Sequence, residues 1–462
     1  MRASHGPWLV FSLALVSCGV DDLPPEGQVV LHVATDAPLP LAQGQAPSDS
    51  HVALFDRLSF EVFPPGSSEP CDACFRAFEV DEAMFHASRA SVGIVSAAAG
   101  VRVRVRLFRG NLDAPSPRDT STIESVVLLP AVGEGDVRHL TVELWTEEVG
   151  RPRGSIDDPA PAEEGRPVGP LAGSWRGSLR QPCEGEAGSE EVCVPGGGFW
   201  MGDPRLDLAG APEYQGANER VVALSPFFLD RTEVTVRAFR ASGLAETLGT
   251  GEVYNPQPAS AGGLCTYEEQ EGASEDVPVN CLTWRLARAY CEKQGKRLPT
   301  EAELAYASSA LGTASFVWGE KVPSCGEAVF GQGVACGSPE VGPSRVGSGT
   351  IDRLSLPSGE LFDLAGNVME FASDFWQLDA EPCWKGSGVL TDPRCDAPSS
   401  MDRVARSVRG GHFADPPLFL RAALRTSIEG ESKAVSDRVG FRCARDGITI
   451  RRTTEDAEGT EG

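Results

Sequence analysis

Positive charge is scarce in this chain: Lys+Arg number 41 against 66 Asp+Glu, a net charge of -25 over 462 residues. That balance argues against a nucleic-acid partner, because phosphate recognition needs basic patches, and it fits a solvated acidic surface. Long apolar runs are scarce too. The stretch Trp8 to Val16 is too short to cross a bilayer, and no later segment could span one. Self-similar repeats are missing. So are nucleophile motifs, since Gly347-Ser348-Gly349 and Gly196-Gly197-Gly198 lack the strand–turn–helix setting of a hydrolase elbow or phosphate loop. Histidine is nearly absent from the second half, with His412 the sole one between Cys193 and Asp446.

What is present begins with Arg2 and the short apolar run ending in Leu15-Val16-Ser17-Cys18, which suits a signal peptide over residues 1–18. Small residues before a cysteine resemble the bacterial lipobox, with Cys18 as the lipidated residue. The expectation is an exported protein, lipid-anchored in the bacterial cell envelope, with a polar tether over 19–27. Thirteen cysteines less Cys18 leave twelve, an even number that predicts disulfides in an oxidising compartment. Proximity suggests Cys183 with Cys193, Cys265 with Cys281, Cys325 with Cys336, and Cys383 with Cys395. Cys71 and Cys74 form one CxxC with no second, which reads as a local disulfide rather than a zinc half-site.

Residues 28–149 read as short strands in an all-β, sandwich-like domain. Val101-Arg102-Val103-Arg104-Val105-Arg106-Leu107 alternates with period two, predicting one buried face and one basic, wet face. From 150 to 191 the composition turns to Pro, Gly, Glu and Ser, which predicts a flexible linker. A second domain follows over 192–446, then an acidic tail over 447–462. In that domain Val194–Met201 and Val222–Leu229 read as strands and Thr232–Ser242 as a helix, with Glu233 near its positive end. Trp284, Ala287, Tyr290 and Cys291 recur at helical spacing, Gly295 stands where a C-terminal cap belongs, and Thr300 with Glu303 forms a capping box for the next helix.

GKRLPTEAE (295–303) lies in order among FWMGD (199–203), FFLDRTEVT (227–235), VWGE (317–320), LFDLAGNVMEF (361–371), VRGGHF (408–413) and VGFRC (439–443). This series resembles the formylglycine-generating enzyme, or sulfatase-modifying factor, family. The resemblance implies an α+β fold overall, with a C-type-lectin-like domain of the formylglycine-generating type behind the all-β domain. It also implies a disulfide between Cys291 and Cys443, and a structural calcium held by Asp363, the main-chain oxygens of Gly366 and Val368, and Glu370. The alternative for that loop is an ion-free tight turn at Gly366-Asn367.

Active relatives hold copper(I) with two cysteines after the Gly-Gly block, because soft thiolates suit that ion. Here Arg409 to Arg421 contains no cysteine: Asp415 stands at the first cysteine's position and His412 at the family's serine. Copper is therefore not expected. Iron would need a facial triad, for which only His412, Asp415 and Asp437 could be invoked. The reading is a non-oxidase binding or scaffold module for a protein, peptide or glycan; the alternative is an active formylglycine-generating oxidoreductase.

Overall fold

A computed structural model describes residues 27–447, apart from 43, 46–47, 72, 97, 111–118, 170, 207–213, 245–255, 259–262, 334, 338–340, 401–403 and 430–434. The expected signal sequence, Cys18, the tether up to residue 26 and the tail from residue 448 lie outside the described residues.

The first half comprises β1 (Gln28–Thr35), β2 (Arg57–Phe63), β3 (Arg76–Glu79), α1 (Glu82–His86), β4 (Ser91–Val95), β5 (Arg102–Phe108), β6 (Thr122–Leu128) and β7 (Val137–Leu144). Two four-stranded sheets result, one of order β3-β2-β5-β6 and one of order β4-β1-β7-β8, where β8 is Glu163–Glu164. Strands β1 and β7 run parallel. The half is not purely β as expected, because Asp81 caps the short α1 by accepting from the Met84 amide at 2.8 Å. In β5 the alternation holds: Val103, Val105 and Leu107 are fully buried in the core the two sheets share. Its other face is not a free basic row. Arg104 pairs with Glu61 at 2.9 Å and Arg106 with Glu124 at 2.5 Å, while Arg102 donates to the carbonyls of Pro64, Ser67 and Ile156. Cross-strand carboxylates thus neutralise the two inner arginines.

Residues 150–191 are not the flexible linker that their composition suggests. Strand β8 adds to β7, Arg153 and Ala160 bridge along the edge of β6, and Trp175 is buried in the first half's core. The reason lies in open sheet edges, whose unpaired amides and carbonyls accept any extended segment. Here Val126 donates to the Arg153 carbonyl at 2.8 Å, and Ala160 donates to that of Val126 at 2.7 Å.

The second half contains β9 (Glu191–Val194), β10 (Gly197–Met201), β11 (Arg220–Leu224), β12 (Phe227–Asp230), α2 (Val236–Ala241), α3 (Trp284–Lys293), α4 (Glu301–Ser308), β13 (Arg353–Leu356), β14 (Gly359–Phe362), β15 (Met369–Phe375), β16 (Leu390–Thr391), β17 (Ala405–Arg409), β18 (Thr426–Glu429), β19 (Val439–Gly440) and β20 (Ala444–Asp446). They form small sheets of order β10-β11-β16, β20-β12-β9, β13-β14 and β18-β17-β15-β19. Helix α2 starts later than expected. Val234 is held in extended pairing, donating to Phe441 and accepting from Val279, so the chain winds only after Thr235 caps the helix. Around α3 and α4 the local pattern is realised. Gly295 takes φ +70 after α3, and Thr300 and Glu303 exchange bonds of 3.1 and 2.7 Å at the start of α4.

Six disulfides join Cys71–Cys74, Cys183–Cys193, Cys265–Cys281, Cys291–Cys443, Cys325–Cys336 and Cys383–Cys395. Cys291–Cys443 ties α3 to the residue that precedes β20, across 152 residues. The two halves share apolar packing, since Trp200, Val221 and Ala223 of the second half belong to the first half's core. Trp200 stacks edge-on to Phe55 and donates its Nε1 to the Leu54 carbonyl at 2.8 Å.

Candidate functional site

The loop leaving β17 turns through Gly410 and Gly411, at φ +98 and +71. At Gly411 a Cβ would meet the Phe419 carbonyl at 2.8 Å, so the close approach requires glycine. The turn brings His412 and Asp415 together. His412 Nδ1 accepts from the Ala414 amide at 3.1 Å, which leaves the ring proton on Nε2, 3.1 Å from Asp415 Oδ1. Asp415 Oδ2 accepts from the His412 amide at 2.9 Å. Both ring nitrogens are therefore engaged within the loop. Asp437 lies by Arg438, and its carbonyl accepts from Asn280, so it does not join them. All twelve cysteines from Cys71 to Cys443 are in disulfides, and no free thiol stands near this loop among the described residues.

A second loop adjoins the first. Gly366 donates to the Gly410 carbonyl at 2.8 Å, and Phe413 donates to that of Asn367 at 2.9 Å. Asp363, Gly366 and Asn367 all have positive φ, and a Cβ on Gly366 would meet the Val329 carbonyl at 2.5 Å. Of the expected calcium set, Glu370 faces the guanidinium of Arg442, whose Nε and Nη2 reach it at 2.8 and 2.6 Å. Arg442 also donates to the carbonyls of Phe362 and Asp363. The Asp363 carboxylate accepts from the Gly347 amide.

Two further acids stand here that the sequence reading did not assign to the site. Asp352 accepts from the Leu364 and Ala365 amides, each at 3.1 Å. Glu233 accepts from Asn367 Nδ2 at 3.1 Å through Oε1, whereas its Oε2 has no partner. Burial raises the pKa of Glu233 and Asp352 well above the usual carboxylate range, with the charge of Asp363 adding to the effect in both; burial also raises those of Asp363 and Glu370. Glu233 and Arg442 do lie in the FFLDRTEVT and VGFRC motifs. Pattern shows them as family positions but cannot show that they meet.

A buried ion network stands behind these loops. Glu301, at the start of α4, is held by Arg409 at 2.8 Å and Arg425 at 2.5 Å, and Arg425 and Arg220 share Asp379. Arg425 also lies over the rings of Trp376 and Trp384. Although burial opposes ionisation, the two arginines hold the Glu301 carboxyl down to about 2. At the junction of the halves a cleft of about 240 Å³ is lined by Arg109, Trp200, Asp203, Arg205 and Glu320, among others. Its charges are paired, Arg205 with Asp203 and Glu320, and Arg109 with Glu219.

Small sheets around three capped helices, with long glycine-rich loops pinned by disulfides, define a mixed but mostly β protein. Residues 178–447 match the Sulfatase-modifying factor enzyme 1-like domain, and the chain belongs to that family. It is 30% identical over 332 residues to a formylglycine-generating enzyme of Streptomyces coelicolor, an alignment covering 63% of this chain and 96% of the relative. It is 26% identical over 293 residues to the inactive C-alpha-formylglycine-generating enzyme 2 of Bos taurus, covering 55% and 87%. Among solved structures, PvdO from Pseudomonas aeruginosa aligns over 58% of this chain and 99% of its own, at 22% identity and a TM-score of 0.40.

Proposed function

We propose that this chain is a family member without formylglycine-generating activity: a binding or scaffold module for a protein, peptide or glycan, exported and anchored through Cys18 at the bacterial cell envelope. One observation carries the reading. The stretch 409–421 has no cysteine, and the twelve cysteines of the described chain are all consumed in disulfides. Copper(I) would find no thiolate pair, so the residues present do not fit that ion. His412 and Asp415, at the corresponding positions, are turned toward each other and satisfied. The relative described as inactive is a precedent for the family fold without the activity. Six disulfides suit an oxidising compartment, and the net charge of -25 opposes a nucleic-acid ligand.

The loop 363–370 fits a hard cation of the calcium class, because buried carboxylate there exceeds buried positive charge and one carboxylate oxygen, on Glu233, has no partner. Asp363, Gly366, Val368 and Glu370 are the residues that the resemblance nominates to hold it. Its contribution would be structural, drawing irregular loops together. The activity test is direct. Purified protein is incubated with copper(I), oxygen and a peptide containing CxPxR, and mass spectrometry should find no aldehyde above the metal-free control. Conversion would instead establish the active oxidoreductase.

A further inference from the structure

We propose that Glu233 is a ligand of the cation site, so that the ion lies between Glu233 and Asp363 while Glu370 serves to hold Arg442. The proposal rests on the calcium reading above and changes which side chains make the site. Four carboxylates meet in this region, Glu233, Asp352, Asp363 and Glu370, exposed by 1, 1, 2 and 4%. The one guanidinium amid them, Arg442, is spent on Glu370 and on main-chain carbonyls. Asp352 is spent on two amides. Glu233 and Asp363 are left with one donor each, Asn367 Nδ2 and the Gly347 amide, and with no cation.

Those two face each other. The carboxyl groups of Glu233 and Asp363 are within hydrogen-bonding range, yet ionised carboxylates only accept, and Glu233 Oε2 finds no donor. Buried polar atoms rarely stay unpaired, and a buried acid pair with nothing between it requires a cation or a proton. Glu233 is not free to swing away, because Asn367 Nδ2 fixes Oε1 from within the same turn that carries Gly366 and Val368. Among the described residues, no three His, Cys, Asp or Glu side chains are placed to hold a metal. The proposed set is therefore a pair of carboxylates completed by main-chain oxygens, and an all-oxygen set of irregular spacing suits calcium better than magnesium, which demands near-ideal octahedral geometry.

The test uses the full chain stripped with EDTA, titrated with calcium chloride by calorimetry and melted with and without the ion. Wild type should bind one calcium and melt higher with it. Glu233→Gln should bind at least about tenfold more weakly, since removing ligand charge lowers calcium affinity. Without metal, Glu233→Gln should melt above wild type, because the neutral amide removes one of two facing carboxylates and gives Asp363 a donor beside the Gly347 amide. Glu233→Asp keeps the charge and should retain part of the affinity, which guards against a folding defect in the glutamine variant. Calcium binding by Glu233→Gln equal to wild type would remove Glu233 from the site and leave the calcium reading intact. No calcium response in wild type, with Glu233→Gln still melting higher without metal, would mean that a proton fills the gap, and both ideas would fall.

Discussion

Removing the Cys291–Cys443 disulfide should cost this protein more stability than removing Cys183–Cys193, in proportion to the loops they close. The first spans 152 residues and the second 10. Loop-closure entropy gives about 5 kcal/mol for the long loop and about 3 kcal/mol for the short one. Both Cys291 and Cys443 are fully buried within the cluster that holds Tyr290, Phe371 and Phe441, so alanine at the two positions adds a small cavity worth about 1 kcal/mol. The double-alanine variants should therefore differ by roughly 2 to 3 kcal/mol, read from guanidinium unfolding followed by tryptophan fluorescence under non-reducing conditions. Equal midpoints for the two variants would refute the reasoning. So would free thiols at 291 and 443 in peptides mapped without reductant.

Three other perturbations should report on buried charge and packing. Glu301→Gln leaves buried Arg409 without its carboxylate and Arg425 with Asp379 alone, and should cost about 3 to 5 kcal/mol by denaturant titration. Trp200→Ala opens the joint between the halves and should cost a similar ~3 to 5 kcal/mol, with early unfolding of the first half visible by hydrogen exchange. Asp374 is pushed up to about 7 by burial and by the charge of Glu301. Its folded value exceeds its ordinary one, so the stability held by the protonated form is intact below pH 3.8 and drains away as pH climbs through about 7. Unfolding midpoints from pH 5 to 8 should fall with pH in wild type, and Asp374→Asn should flatten that slope.

Local chemistry was the part of this molecule most readable from the sequence. The joint between α3 and α4 follows from Thr300, Glu303 and Gly295, whose partners lie within a few residues. Strand β5 follows from strict alternation, and five of the six disulfides join cysteines at most 16 residues apart. What stayed hidden depends on distant partners. Glu233 resembles a favourable helix-end charge until Asn367, 134 residues on, is seen to hold it. The arginines of β5 look solvated until Glu61 and Glu124 arrive from neighbouring strands. Likewise, residues 150–191 resemble a loose connection because composition records their lack of an apolar stripe and not the sheet edges waiting for them.

The indole of Trp200 gives the family domain a dependence on what precedes it. The family domain covers residues 178–447, so most of the first half lies outside that match. A relative built without such a half would be left with an aromatic scar if it kept Trp200, Val221 and Ala223, so other residues are expected at those places. The same three positions thus offer a way to sort family members by architecture: apolar residues at all three, with an indole at 200, are expected where a first half packs against them.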